Sequence, residues 1–329
     1  MVKFFSFFLP LWYPFSVHQL QANEIYKNRF FNHDYVMYKD INDSIVIHSN
    51  ICPHQGSQFS NGGFLNKDKN IVCPYHGFTY ENGSFIGICH QEKLKKKQKQ
   101  TLPTFHVQEM DDLIFINENE NSRYDIFQPP EEYDPDFRSV SGWSILSNNY
   151  LTVTENLLDM LHISFVHSFG SKSNVPDNIQ FEKISKIHGK TSFFYNPSRK
   201  SLGSILSEKD YTVKVENEFI LPTNTITRVF IGDSIKTVFT RSIPIEENKT
   251  LLYWKLYRNF WNDNIFLNYF GDFFIRHLMK KVIQEDIQIL KGIRVDDRDG
   301  PVKTKYDQTI LQFRKFTKEF IRDLKIEDI

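Results

Sequence analysis

Short apolar and alternating runs divide the first third of the chain. They include Tyr35-Val36-Met37-Tyr38, Ser44-Ile45-Val46-Ile47-His48 and Leu113-Ile114-Phe115-Ile116-Asn117. Turn residues separate these runs, a pattern that predicts β-strands. Six of the 14 glycines (Gly56, Gly62, Gly63, Gly77, Gly83 and Gly87) fall in this region, implying tight loops that approach something closely. The pattern lapses in the polar stretch from Glu118 to Tyr133, which holds Pro129 and Pro130 and predicts a boundary. We expect a first domain over residues 1–120 and a second over 121–329. The second mixes predicted strands (Thr225–Phe230, Ile235–Phe239, Leu251–Leu256) with predicted helices near 150–168, 265–294 and 307–325, so the expected class is α+β.

Composition narrows the picture. The 329 residues carry 40 basic and 40 acidic side chains, so no general basic field marks a nucleic-acid or membrane-surface protein. A hydrophobic content of 40% is enough to bury a core and excludes a disordered chain. Against 31 Phe there is one alanine, Ala22, so helices must be held by packing rather than by intrinsic propensity. Three cysteines do not make a disulfide framework, which points to a reducing, cytoplasmic setting. The apolar stretch from Phe4 to Phe15 is interrupted by Pro10 and Pro14 and is far short of a bilayer span. The basic run Lys93 to Lys99 reads as a solvated loop, or else as a docking patch for an acidic electron donor.

Two segments carry the strongest chemical signal: Cys52-Pro53-His54-Gln55-Gly56 and Cys73-Pro74-Tyr75-His76-Gly77. Each supplies one thiolate and one imidazole. A zinc finger would usually put both cysteines on one arm and both histidines on the other. Mixed arms suit a [2Fe–2S] cluster, one iron held by Cys52 and Cys73 and the other by His54 and His76. Cys89 and His90 lie outside this spacing and read as bystanders.

A second constellation runs from Glu155 to His167. At 100° per residue, Glu155, Asp159 and His162 fall on one arc of a continuous helix, whereas His167 joins them only if that helix ends or bends after His162. A mononuclear iron site of the facial type needs two histidines and one carboxylate. Asp286 is the candidate carboxylate, because its i±3 and i±4 neighbours Val282, Ile283, Ile289 and Leu290 are all aliphatic. Glu285, with Lys281 and Gln288 among its neighbours, reads as surface.

Taken together, Cys52-x-His54 and Cys73-x-x-His76-Gly77 match the Rieske motif, and Glu155, Asp159, His162 and His167 resemble the second motif of the Rieske non-haem iron oxygenases. Phe78 stands where Trp is frequent in that family, and Gln55 where Arg is frequent. Weaker patches of likeness are Trp12-Tyr13-Pro14, Leu102-Pro103 with Val107 and Glu109, and Phe313-Arg314. The start at Trp12 argues against cleavage of the N-terminus.

The resemblance implies an all-β Rieske domain followed by a catalytic domain with a helix-grip-like antiparallel sheet. It implies that His162, His167 and Asp286 bind Fe(II), that Asp159 bridges the two centres by accepting a hydrogen bond from His76 of a neighbouring subunit, and that Glu155 supports the site. It further implies a homotrimer that uses O₂ to hydroxylate or oxidatively demethylate a small, apolar substrate. No Gly-x-Gly-x-x-Gly fingerprint follows any predicted strand, so electrons are expected from an external ferredoxin or flavin reductase. Residues 170–265, rich in aromatics such as Phe193, Phe194, Tyr195, Phe230 and Phe239, are expected to build the pocket, although core packing accounts for most of these side chains. The rival readings are a non-catalytic Rieske electron carrier or redox-responsive interaction protein, which leaves His162, His167 and Asp286 without purpose, and a zinc-binding module.

Overall fold

The apolar run at residues 113–117 forms a strand buried at all five positions, as expected of a segment covered on both faces. Our computed structural model describes residues 11–17, 20–90, 102–118, 122, 124–196, 212–262, 264–294 and 300–327. Residues 4–10 of the N-terminal apolar stretch and the basic run Lys93 to Lys99 lie outside the described residues. The chain forms two compact units, Met1–Asp125 and Ile126–Ile329. Among the described residues no helix is long and apolar enough to cross a membrane.

The first unit is all β. Its three small antiparallel sheets are β1 (Tyr13–Ser16), β10 (Leu113–Asn117) and β9 (His106–Met110); β2 (Tyr26–Phe30), β3 (His33–Lys39) and β4 (Ile45–Ser49); and β5 (Phe64–Leu65), β6 (Ile71–Val72), β7 (Phe78–Glu81) and β8 (Ser84–Ile88). Val36, Tyr38, Val46, Phe59, Ile71, Tyr80 and Leu102 share one apolar cluster with Cys52 and Cys73. The two thiols are thus anchored in the core of this unit.

The second unit is built on a seven-stranded antiparallel sheet in the order β11-β17-β16-β15-β14-β13-β12. The strands are β11 (Arg138–Leu146), β12 (Asp177–Lys183), β13 (His188–Tyr195), β14 (Val213–Ile220), β15 (Asn224–Ile231), β16 (Ser234–Glu246) and β17 (Lys249–Arg258). Helices α1 (Tyr150–Leu158), α2 (His162–Phe165), α3 (Ile265–Leu290) and α4 (Gln308–Glu327) complete it. The sheet and helices give the α+β class read from the sequence.

Helix α3 positions the site. Its buried residues are Gly271, Ile275, Met279, Ile283, Asp286 and Leu290, a stripe at spacings of three and four. Ile275, Met279 and Ile283 pack on Val140, Trp254 and Leu256 of the sheet. Each such apolar side chain contributes about 1.5–3 kcal/mol on burial. Asp286 therefore occupies a core position on a well-anchored helix. At its other end α3 is held by Asp272, which accepts hydrogen bonds from Arg138 (2.7 Å) and from the buried Arg258 (2.9 Å).

Candidate metal centres

The two cysteine arms fold as near copies of one loop. The Cys52 N–H donates to the Ser57 carbonyl (2.8 Å) and the Gly56 N–H to the Cys52 carbonyl (2.9 Å). In the second arm the Cys73 N–H donates to the Phe78 carbonyl (2.9 Å) and the Gly77 N–H to the Cys73 carbonyl (3.1 Å). Both turns close through a left-handed residue, Gly56 at φ 77° and Gly77 at φ 70°, a conformation that a side chain would strain. Cys89, read as a bystander, braces the second loop through its backbone, its N–H donating to the Gly77 carbonyl at 2.7 Å.

This geometry separates the donors by kind. Cys52 and Cys73 are buried, whereas His54 and His76 reach the surface with ring centroids 4.9 Å apart. Burial raises the Cys52 thiol above its ordinary pKa, and the neighbouring Cys73 adds to the shift. Metal binding reverses that preference, because a coordinating thiol is deprotonated outright. The Tyr80 hydroxyl lies 3.3 Å from Cys52 Sγ and is the donor once the sulfur is a thiolate. Phe78, at the position where the resemblance leads one to expect Trp, stacks on His54 at 4.2 Å. Two soft donors below and two imidazoles above fit a cluster with differently ligated irons.

The second centre departs from the continuous-helix expectation. Helix α1 ends at Leu158, and Asp159 has left helical geometry at φ −70°, ψ 119°. The break thus comes before His162 rather than after it, and the shared arc of Glu155, Asp159 and His162 is not formed. The physical reason lies in Asp159: its Oδ1 accepts the N–H groups of Leu161 (2.7 Å) and His162 (3.2 Å), starting a new turn instead of continuing the old one. After α2 the chain reverses tightly. A Cβ at Gly170 would lie 2.1 Å from the Ile163 carbonyl oxygen, so only glycine permits this reversal, and the Gly170 N–H donates to the His167 carbonyl at 2.8 Å. His162 and His167 are thereby turned toward each other.

Their tautomers follow from their partners. His162 Nδ1 lies 2.7 Å from the Asp159 carbonyl oxygen, so it carries the proton and leaves a lone pair on Nε2. His167 Nδ1 faces Glu285 Oε2 at 3.1 Å and is likewise the donor. The two Nε2 atoms face each other at 3.2 Å, and Asp286 Oδ1 lies 3.6 Å from both. That oxygen is buried and, among the described residues, has no hydrogen-bond partner. Burial favours the neutral imidazole and holds His167 below its ordinary pKa, although the Asp286 carboxylate pulls the other way. Two facing lone pairs and an orphaned carboxylate oxygen call for a cation. A divalent ion held at about 2.1 Å by mutually cis donors needs them about 3 Å apart, close to what is seen.

Glu285 is a correction to the sequence reading, which put it on the surface. It accepts from His167 Nδ1 and also from the Ser168 N–H (3.3 Å), so it stands behind the site. Its helical neighbours gave no sign of this, because the contact crosses from α3 to a segment far away in sequence. Glu155 pairs with Arg314 through two hydrogen bonds of 2.8 and 2.7 Å, fastening α4 to α1.

His162, His167 and Asp286 open onto a cavity of about 220 Å³. Its walls are largely apolar and include Val213, Val215, Val229, Trp254, Met279 and Ile283. Of the aromatics expected there, Tyr195 lines it, while Phe193 and Phe239 are core and Phe194 is 40% exposed. Phe230 does not line the cavity and packs beneath Lys214.

Comparison with known proteins finds a family match in each unit. Residues 12–106 match the Rieske [2Fe–2S] domain, and residues 146–323 match the vanillate O-demethylase oxygenase C-terminal domain. No curated protein matches the chain. Among solved structures, apo dicamba monooxygenase superposes with a TM-score of 0.72 at 16% identity, covering 98% of this chain and 100% of that one. NdmA of Pseudomonas putida CBB5 gives 0.73 at 19% identity, covering 96% and 91%. An NdmA QL mutant with caffeine gives 0.74 at 19%, with the same coverage. At these identities the likeness is one of fold.

Proposed function

The chain belongs to the Rieske non-haem iron oxygenases with a vanillate O-demethylase-type C-terminal domain, and from that membership we propose that it is a terminal oxygenase acting on a small, mainly apolar substrate held in the cavity beside His162, His167 and Asp286. The observation that carries this reading is the opening of the three-donor cluster onto that cavity. A pure electron carrier has no use for either. The chemistry supplied by a bound cluster and a bound ferrous ion is stepwise electron delivery and O₂ activation.

The chain's own residues supply the rest. Cys52, Cys73, His54 and His76 hold the cluster, and His162, His167 and Asp286 hold the iron. Asp159 and Glu285 fix the imidazole tautomers, and the apolar walls exclude water from the reacting carbon. Overall, one O₂, two electrons and two protons convert a C–H bond to C–OH and release one water. At an O- or N-methyl group the product loses formaldehyde, which amounts to demethylation. The solved relatives support this outcome as one branch, since they include dicamba monooxygenase bound to dicamba and NdmA bound to caffeine. The chain carries no dinucleotide fingerprint, so an external ferredoxin or flavin reductase supplies the electrons.

A head-to-tail ring of three brings one subunit's cluster to the next subunit's iron. Two features support it. His76 is exposed, and among the described residues Asp159 uses only Oδ1 in hydrogen bonds, leaving Oδ2 for a partner. The test is oxygen uptake by reconstituted protein with a surrogate reductase, across a panel of aromatic and alicyclic compounds. Substrate-dependent uptake with hydroxylated or demethylated product is expected. Uptake that no compound stimulates, in protein carrying both metal centres, contradicts the reading.

A further inference from the structure

One cation inside the cavity has no task in this scheme. Lys236 lies on β16 and lines the cavity wall. Its register partners are Val229 on β15 and Arg258 on β17. Arg258 is already committed to Asp272 and to the carbonyls of Phe260, Trp261 and Asn268. Lys236 has no such commitment: among the described residues its amine forms no ion pair, and its nearest aromatic face, Phe169, is 6.0 Å away. Among the described residues Asp286 is the one acidic side chain in the cavity lining, and it belongs to the candidate metal cluster.

Desolvation lowers the Lys236 amine to about 8, with no acidic group pulling in the other direction. A charged amine without a counter-ion in an apolar pocket is costly to keep, whereas an anion entering the pocket would relieve that cost at once. Lys281, also in the lining, is exposed and adds a second positive charge.

We propose that Lys236 is a specificity-determining residue that binds the acidic group of an organic carboxylate, with the apolar remainder of that molecule directed toward His162, His167 and Asp286. The proposal rests on the reading of this cavity as the substrate site. It narrows the substrate class from small apolar molecules to apolar acids. Neutral compounds of the same shape leave the amine unpaired and bind more weakly.

The test is calorimetric titration of the holoprotein, without reductant, using benzoate, 4-methylbenzoate and cyclohexanecarboxylate, each paired with its amide. We expect the acids to bind about tenfold or more tightly than the amides. Lys236→Met should abolish that preference while leaving amide affinity and the cluster's visible spectrum unchanged, and Lys236→Arg should preserve it. Equal affinity for acid and amide in the native protein overturns the proposal, as does an undiminished preference in Lys236→Met or binding by none of the acids. Because binding is read without turnover, an enzyme that prefers acids but never consumes oxygen contradicts the functional reading alone, and one that oxidises neutral compounds but ignores acids contradicts this proposal alone.

Discussion

The cluster loops and the iron site solve the same problem, converging donors on a metal, by opposite means. Cys52, His54, Cys73 and His76 come from two short arms that repeat one hydrogen-bond pattern, with the sulfurs buried and the imidazoles exposed. His162, His167 and Asp286 come from an interrupted helix and from a long helix much later in the chain, and their donor atoms meet at a buried junction. A site built locally depends on turns, and one built at long range depends on packing. The two should therefore fail separately and under different stresses.

The sharpest break of this comparison is Cys73→Ser. It should remove the cluster entirely, with loss of visible absorbance, while iron binding at His162, His167 and Asp286 persists. An intact [2Fe–2S] signal in that variant, or concurrent loss of the lone iron, would show that the two sites are not independent in this way.

Acid offers a second, smaller distinction. His48, on β4 of the first unit, is fully buried, and desolvation lowers it from 6.5 to about 4. Because the folded pKa is depressed, its contribution to stability is fully present above pH 6.5 and is lost as pH falls toward 4. The loss is on the order of 3 kcal/mol. In the second unit, the buried Glu131 and Glu218 are held below 4.5 by Arg228 and His188, so their stabilisation is lost only at lower pH. Urea titrations at pH 7 and pH 4.5, read by cluster absorbance and by far-UV dichroism, should show the first unit weakening first. Replacement of His48 by Phe should flatten that loss, and an unaltered pH profile would argue against this origin.

The smallest expected effect comes from Glu285→Ala. Loss of the acceptor behind His167 Nδ1 should weaken iron binding by about 10–100-fold with no change in the cluster spectrum. Unaltered affinity would mean that Glu285 does not orient His167.

What the sequence made legible follows the same division. The two Cys/His loops could be read as a unit because their cysteines, histidines, prolines and glycines are contiguous. Asp286 could be read because an acid among Val282, Ile283, Ile289 and Leu290 stands out within a single helix. The break at Asp159 was missed because an aspartate at the end of an apolar helix has two uses, helical surface or cap, and only the surrounding packing chooses between them. Glu285 was missed for a related reason: its partner, His167, is invisible from its own helix. Strand β16 was read only as far as Phe239. It continues to Glu246 with polar Thr240 and Arg241 buried, the first bonded to Thr225 and the second, through its terminal nitrogens, to Asn224 and the Phe127 carbonyl. Periodicity detects apolar faces, and a strand that buries bonded polar groups escapes it.

The central claim is that one polypeptide holds a sulfide-bridged iron pair and, separately, a single ferrous ion. Iron and acid-labile sulfide analysis of anaerobically reconstituted protein, run beside Asp286→Ala, tests it most directly. About three irons and two sulfides per native chain, falling to about two irons with sulfide unchanged in the variant, is the predicted result. Two irons in both proteins, or the same three in both, would contradict it.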